Sequence, residues 1–240
     1  HGLRILGGHD TGPTEFPDCV AVGSENDWCC TGTLVAPNVV VTAGHCAEEC
    51  ATRIYVGIDT NNPDPTKIFK VGKVIRHQDY AELHDLVKND LTVLILEKDV
   101  PGVAPRKIAQ AEMIDQAALL LIVGFGTTDK LGTIGYGKQR KVSVAIASPS
   151  CGASAAVDRY GCISGLEIVA GTPNRDSCSG DSGGPAYVKS GEQWFLAGAT
   201  SRGVRVSDAP CGNGGIYVRL DKYVDFIKSV ALANNGHWKD

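Results

Sequence analysis

Apolar residues in this chain come in short runs, and nearly every run is cut by Gly, Pro, Asn or Asp. GTLVAP (32–37), VVVTAG (39–44), RIYVGI (53–58), LTVLILE (91–97), KVSVAIA (141–147), WFLAGATS (194–201) and GIYVRL (215–220) have the length and the β-branched, aromatic content of strands. In KVSVAIA, Val142, Val144 and Ile146 fall on one face, the period of two expected of a half-buried strand. Only the C-terminus shows a long helical period, with Tyr223, Ile227, Val230 and Ala231 on one stripe and Asp221 placed to cap it. The pattern predicts an all-β barrel or sandwich architecture with a C-terminal helix. A division near residues 105–115 leaves comparable strand sets on each side.

Composition narrows this picture. The 240 residues suffice for one full core or two small ones. A net charge of −4, with both signs spread along the chain, gives no basic stripe for nucleic acid. The run AALLLIVGFG (Ala117 to Gly126) is too short for a membrane span, so a soluble protein is expected. Nine cysteines without recurring C-x₂-C pairs point to disulfides and an oxidising compartment rather than to a metal site. The count is odd, so one cysteine is free or pairs outside the chain. The chain opens at His1 rather than Met, so a preceding segment is expected to have been removed or left out.

The chemistry concentrates in DSCSGDSGGP, Asp176 to Pro185. Ser182 sits in a glycine-rich turn where no side chain crowds a reacting carbonyl, and the amides of Gly180 and Ser182 are placed to converge on one oxyanion. TAGHC puts His45 directly after an apolar strand, and Asn89-Asp90-Leu91 puts Asp90 at the mouth of another. Each alone has a bland structural reading. In the order His45, Asp90, Ser182 they form a nucleophile, a base and an acid that orients the base. Gly180 to Gly184 also fits the G-x-S-x-G elbow of α/β-hydrolases, but a loop precedes the serine and a proline follows it.

With TAGHC, NDL, DSCSGDSGGP, TSRG and GIYV in this order, the chain resembles a trypsin-like serine endopeptidase of the chymotrypsin family from about Ile5 to the terminal helix. The resemblance implies two six-stranded antiparallel β-barrels, residues 5–110 and 111–240, with the site in the cleft between them. It implies His45 as general base, Asp90 as its orienting acid, Ser182 as nucleophile, and the Gly180 and Ser182 amides as the oxyanion hole. Asp176, six residues before the serine, becomes the pocket floor, lined also by Ser177 and Ser201 and walled by Gly203 and Gly215. A buried carboxylate selects a cation, so cleavage after Arg or Lys is expected. Arg202 stands where the family usually has an aromatic residue, and a preference for acidic groups upstream of the cleaved bond is one expectation. VRVSDAP (Val204 to Pro210) is longer than the family's usual connection.

Ile5-Leu6-Gly7-Gly8 resembles the family's mature N-terminus, and HGLR precedes it. Residues 1–4 therefore read as a propeptide remnant and the chain as a zymogen cut at Arg4-Ile5, after which the new α-amino group would pair with Asp181. Resemblance further implies the disulfides Cys30–Cys46, Cys151–Cys162 and Cys178–Cys211, each stabilising by roughly 2–4 kcal/mol. Cys29–Cys50 is the preferred fourth bridge. That leaves Cys19 as the odd thiol, with a tether to a missing propeptide as one role for it. No cofactor is expected. Some relatives bind calcium where Asp59, Asn61, Asn62 and Asp64 lie, but Ile58 replaces the usual glutamate and a polar surface loop is the plainer reading. Protein or peptide substrates, an activating protease and protein inhibitors are the expected partners of a secreted or periplasmic monomer. The rival reading, a non-catalytic homologue acting as binding partner or cofactor, would require a lost nucleophile or base, and here neither is lost.

Overall fold

A computed structural model of the chain describes residues 5–48, 50–84, 86–128, 134–152, 159–178, 180–205 and 211–240. A two-residue strand β1 (His9–Asp10) is followed by β2 (Cys19–Gly23), β3 (Trp28–Ala36), β4 (Val39–Thr42), β5 (Arg53–Tyr55) and β6 (Ile68–Arg76). Strands β7 (Ala81–Leu83) and β8 (Leu86–Lys88) make a separate hairpin before β9 (Thr92–Leu96). Strands β2, β3, β4, β9, β6 and β5 close, in that order, into an antiparallel barrel.

Past helix α1 (Ala111–Asp115) come β10 (Leu119–Gly124), β11 (Arg140–Ser148), β12 (Glu167–Ala170), β13 (Pro185–Ser190), β14 (Gln193–Gly203) and β15 (Gly215–Arg219). They run in the order β11, β10, β13, β14, β15, β12, and pairing of β12 with β11 closes a second six-stranded barrel. Helix α2 (Val224–Ala233) ends the fold.

Alternation along each strand explains how the barrels bury apolar residues both inside and between them. In β4, Val40 points into the first barrel with Val20, Leu34, Ile54 and Leu94. Its neighbours Val39 and Val41 point outward, yet they are equally buried, in a cluster that draws Val123, Phe125 and Tyr187 from the second barrel and Ile227 from α2. Strands sandwiched this way must be apolar on both faces, so VVVT and TVLIL read as continuous runs rather than as alternating ones. The run Ala117 to Gly126 becomes β10 for the same reason. The second barrel is filled by Ile122, Val144, Ile168, Ala186 and Tyr217.

The N-terminal strap does not follow the division of the chain into halves. His9 and Asp10 pair with Lys141 and Arg140 of β11, and Ile5 lies in the core of the second barrel. The C-terminal cap also differs from expectation. Asp221 sits in a tight turn, Leu220–Lys222, and its carboxylate accepts from Arg219 Nε at 2.9 Å, while α2 begins after Tyr223 without a side-chain cap. Arg219 is almost wholly buried and needs counter-charge, which Asp221 and Asp115 supply. That demand takes precedence over a cap worth about 1 kcal/mol.

All four expected disulfides form: Cys29–Cys50, Cys30–Cys46, Cys151–Cys162 and Cys178–Cys211. Cys19 is free, but it is fully buried in β2, where burial pushes its thiol pKa well up. It is out of reach of any external partner, so the tether role is withdrawn.

A buried ion pair joins the barrels. Asp18 accepts from Arg106 Nη2 at 2.6 Å and Nε at 3.0 Å, and from the Tyr187 hydroxyl of β13 at 2.6 Å. Removing one partner of such a pair leaves a charge stranded in the interior. Arg106→Met is expected to lower unfolding free energy by about 3 kcal/mol, measured by chemical denaturation. A loss below about 1 kcal/mol would show that Asp18 finds other compensation.

Candidate active site

The nucleophile turn is built against the first barrel. The Thr31 amide of β3 donates to the Ser182 carbonyl at 2.9 Å, and the Thr31 hydroxyl donates to the Gly180 carbonyl at 2.8 Å. Gly183 follows with a φ of +80°, and a Cβ there would stand 2.1 Å from Thr42 Oγ1 and 2.5 Å from the Ala43 amide. Only glycine allows both the backbone twist and the approach. Ser182 leads into β13 through Pro185 rather than into a helix, unlike an α/β-hydrolase elbow. No acceptor among the described residues takes the N–H of Gly180 or Ser182, so both remain available to an oxyanion.

His45 and Asp90 meet where the two barrels face each other. His45 lies in the tight turn Gly44–Cys46 after β4, held by the Cys30–Cys46 bridge. Its Nδ1 is 2.9 Å from Asp90 Oδ2 and 3.1 Å from Oδ1, and its backbone N–H donates to Oδ1 at 2.9 Å. Asp90, 1% exposed, also accepts from the Ser201 hydroxyl at 2.6 Å. Burial works against the His45 cation, but the hydrogen bond and charge of Asp90 outweigh it and raise the pKa of the imidazole. Burial likewise raises Asp90, yet the His45 and Ser201 interactions prevail and hold it below the usual carboxylate range. No hydrogen bond joins His45 to the Ser182 hydroxyl among the described residues, a spacing common before substrate binds.

Asn89, which the sequence reading used only as part of a motif, sets the direction of Asp90. It has a φ of +50°, a conformation Asn tolerates better than most residues. Its side chain donates to the Asp79 carbonyl at 2.9 Å and accepts from the Tyr223 hydroxyl at 2.8 Å. The only sequence signal for this was the Asn itself.

Asp176 is 2% exposed and, among the described residues, accepts only from N–H groups. Oδ1 accepts from Ser177 at 2.9 Å, and Oδ2 accepts from Gly212 at 2.9 Å and Gly214 at 3.1 Å. Burial raises its pKa despite these donors, and no Arg or Lys among the described residues pairs with it. Gly203 and Gly215 face each other across β14 and β15, and a Cβ on Gly215 would stand 3.2 Å from Ser177 Oγ. The glycine therefore lets Ser177 and Tyr217 pack close to the strand. Ser201 sends its side chain to Asp90.

Asp181 is fully buried beside the nucleophile, accepting from Cys178 N–H at 2.7 Å and Gly126 N–H at 2.8 Å. Burial, reinforced by the charge of Asp176, pushes its pKa to about 7 against the opposing N–H groups and Arg140. The Leu6 carbonyl accepts from the Asp176 N–H at 3.2 Å, so the N-terminal strap contacts Asp176 directly. Arg4, Ser179 and the loop 206–210 lie outside the described residues.

Two expectations change at the periphery. Arg202 does not offer its charge to the cleft: Glu167 binds its Nη1 at 2.6 Å and its Nη2 at 2.9 Å, which removes the basis for an acidic preference. In the loop considered for calcium, Asp59 accepts from Asn61, and Asp64 accepts from Thr66, so these oxygens serve their own turns. Cys29, Cys30 and Cys50 bring three sulfurs within 4.8 Å of one another, but all are in disulfides and none is a thiolate. Clefts of about 770 Å³ beside Tyr55 and Phe69 and about 910 Å³ beside Trp238 are lined by none of His45, Asp90, Asp176, Asp181 or Ser182.

Comparison with known proteins agrees with this geometry. The chain matches the family described as Trypsin over residues 5–227. It is 32% identical to a trypsin of Saccharopolyspora erythraea over 93% of this chain and 96% of the relative. It is 33% identical to the vitellin-degrading protease of Bombyx mori over 84% and 76% of the two chains. The phenoloxidase-activating factor 1 of Holotrichia diomphalia is 28% identical, over 94% and 69%. With two closed barrels, a His45–Asp90 pair beside the Ser182 turn and a family match across most of its length, this chain belongs to the trypsin family of serine proteases.

Proposed function

We propose that the chain is a secreted endopeptidase that hydrolyses peptide bonds after Arg or Lys and is switched on by cleavage at Arg4-Ile5. The observation that carries the specificity is Asp176. A carboxylate this buried, held by backbone N–H groups and by no cation among the described residues, is half of an ion pair whose other half is a substrate side chain. A lysine or arginine reaching past Gly203 and Gly215 supplies it.

In this reading the scissile carbonyl lies over Ser182 with its oxygen toward the Gly180 and Ser182 amides. His45 Nε2 takes the hydroxyl proton as Ser182 Oγ bonds to the carbonyl carbon. Asp90 fixes the tautomer through Nδ1 and stabilises the imidazolium formed. The proton then passes to the leaving amine, the C–N bond breaks, and an acyl-enzyme remains. Water, activated by the same histidine, attacks and releases the acid. The route needs no cofactor, and both barrels, residues 5–110 and 111–240, act as one peptidase domain in a monomer. An activating protease and protein inhibitors are its natural partners. Four disulfides favour an oxidising compartment, and among the described residues no helix is long and apolar enough to cross a membrane.

Activation follows from Asp181. Cleavage creates an α-ammonium on Ile5, whose side chain is already packed in the second core, and that cation neutralises the buried carboxylate. The strap carrying Ile5 also holds the Asp176 amide, so the ion pair would fix pocket and nucleophile turn together.

After cleavage at Arg4-Ile5, a serine-directed organophosphorus reagent is expected to label the protein at one group per chain, and Ser182→Ala is expected to take up none. Labelling of that variant would show that the nucleophile lies elsewhere. Asp176→Ser is expected to lower kcat/KM for Arg and Lys substrates by roughly 3–5 kcal/mol of transition-state binding, while esters of small apolar acids are little affected. Equal rates on Arg substrates would refute the pocket assignment. The uncleaved chain holds the Asp181 proton up to about pH 7, against an ordinary value of 3.8, so it loses stability as pH rises through that window. The Tm of Asp181→Asn relative to the parent should therefore be more favourable at pH 8 than at pH 5 before cleavage. After cleavage the paired carboxylate is ionised at both pH values, so Asp181→Asn should be the less stable form at pH 5 and at pH 8 alike. Identical pH dependence before and after cleavage would remove the switch.

A further inference from the structure

Arg202 points its polar atoms inward, toward the triad. Nη1 donates to Glu167 Oε2 at 2.6 Å and to Ser201 Oγ at 3.0 Å, while Nη2 donates to Glu167 Oε1 and to the Gly161 carbonyl, each at 2.9 Å. Glu167, on β12, is 3% exposed and also accepts from the Ile163 N–H at 2.6 Å. The guanidinium is thus clamped by a buried carboxylate on a neighbouring part of the second barrel. Its third contact is the hydroxyl that binds Asp90.

The donor count makes that contact directional. A guanidinium has five N–H donors and no acceptor. The Ser201 hydroxyl has one hydrogen, and Arg202 cannot receive it. The hydrogen therefore goes to Asp90 Oδ2, 2.6 Å away, while Arg202 occupies a lone pair on the same oxygen. A hydroxyl that accepts from a cation is polarised and donates more strongly. The chain Glu167, Arg202, Ser201, Asp90, His45 is continuous, every link at 3.0 Å or less.

We propose that Arg202, anchored by Glu167, is a positioning residue for the triad: it fixes the Ser201 hydroxyl as a donor to Asp90 and places a fixed positive charge beside the His45–Asp90 pair. This rests on reading His45, Asp90 and Ser182 as the catalytic residues. Arg202 touches neither substrate nor reacting atoms in this role. The charges that His45 faces are Asp90 just ahead of β9, Glu82 on β7 and Arg202 on β14. Asp90 additionally faces Glu167 on β12 and the neutral phenols of Tyr80 and Tyr223. Asp90 and Glu82 favour the imidazolium and Arg202 opposes it, so the cation counterweights the two carboxylates.

The test is an NMR titration of the His45 ring in the full chain, beside the pH profile of kcat/KM on an arginine ester after cleavage. Arg202→Met should move the His45 titration and the acid limb of kcat/KM up by about half a pH unit, since an opposing charge is removed. Glu167→Gln, which leaves Arg202 less neutralised, should move both down by a similar amount. Arg202→Lys, which keeps the charge, should stay near the parent. A purely structural role would not produce opposite shifts. Unmoved titrations in Arg202→Met and Glu167→Gln, or shifts of the same sign, overturn the proposal. If Arg202→Met does not fold because Glu167 is stranded, Arg202→Met with Glu167→Leu replaces the pair by apolar contact. That variant should fold and lose about fivefold in kcat, the equivalent of one hydrogen bond, with KM unchanged. A parental kcat in it also overturns the proposal. A parent that hydrolyses no ester refutes the catalytic reading instead, and the titration still judges the role of Arg202.

Discussion

The fold depends on one close approach, between strand β3 of the first barrel and the turn that carries Ser182 in the second. Thr31 holds that turn through its amide and its hydroxyl, and its own carbonyl accepts from the Thr42 hydroxyl at 2.8 Å. Thr42 lies three residues before His45 on the same chain segment. His45 and Ser182 belong to different barrels, so their separation is set by this interface and by neither barrel alone. Gly183 is the residue that lets the two backbones approach so closely, and any Cβ there would force the histidine side of the cleft away from the serine side.

Around that contact lie three buried aspartates whose environments divide their tasks. Asp90 is compensated within the chain by His45 and Ser201, so it stays ionised and rigid. Asp176 and Asp181 are each satisfied by N–H groups but lack a cation among the described residues, and burial raises both. A carboxylate left in that condition weakens the folded state at neutral pH and will bind whatever cation is delivered to it. In the proposed reading, the same electrostatic deficit serves substrate recognition at Asp176 and conformational control at Asp181.

The two barrels were legible in the sequence because they follow from many short strands with turn signals. His45, Asp90, Ser182 and Asp176, which carry the proposed mechanism, were legible because they sit in short motifs. The structure corrected the sequence wherever a partner came from a distant segment. Asp221 looked like a helix cap because nothing nearby advertised Arg219 as a buried cation in need of it. Cys19 looked like a candidate tether because its burial depends on how β2 packs. Strand β6 was unread because its exposed residues, Lys70 and Lys73 among them, interrupt any clear apolar face.

Arg202 is the clearest such case. As a lone cation at the edge of a substrate cleft it reads as a specificity residue, and that reading ignores the cost of leaving it half-buried without a counter-charge. Glu167 is thirty-five positions away in sequence and becomes its neighbour only because β12, β15 and β14 are adjacent in the second barrel. Once the two are paired, the charge at this rim is neutralised toward substrate but still present toward the interior, where only Ser201 separates it from Asp90. An aromatic residue at this position would pack without holding a hydroxyl in place. A paired arginine gives up that packing surface and, in exchange, couples the wall of the cleft to the orientation of the triad. The site's electrostatics therefore extend beyond the three catalytic side chains into the second barrel, by a route that one substitution at position 202 or 167 would interrupt.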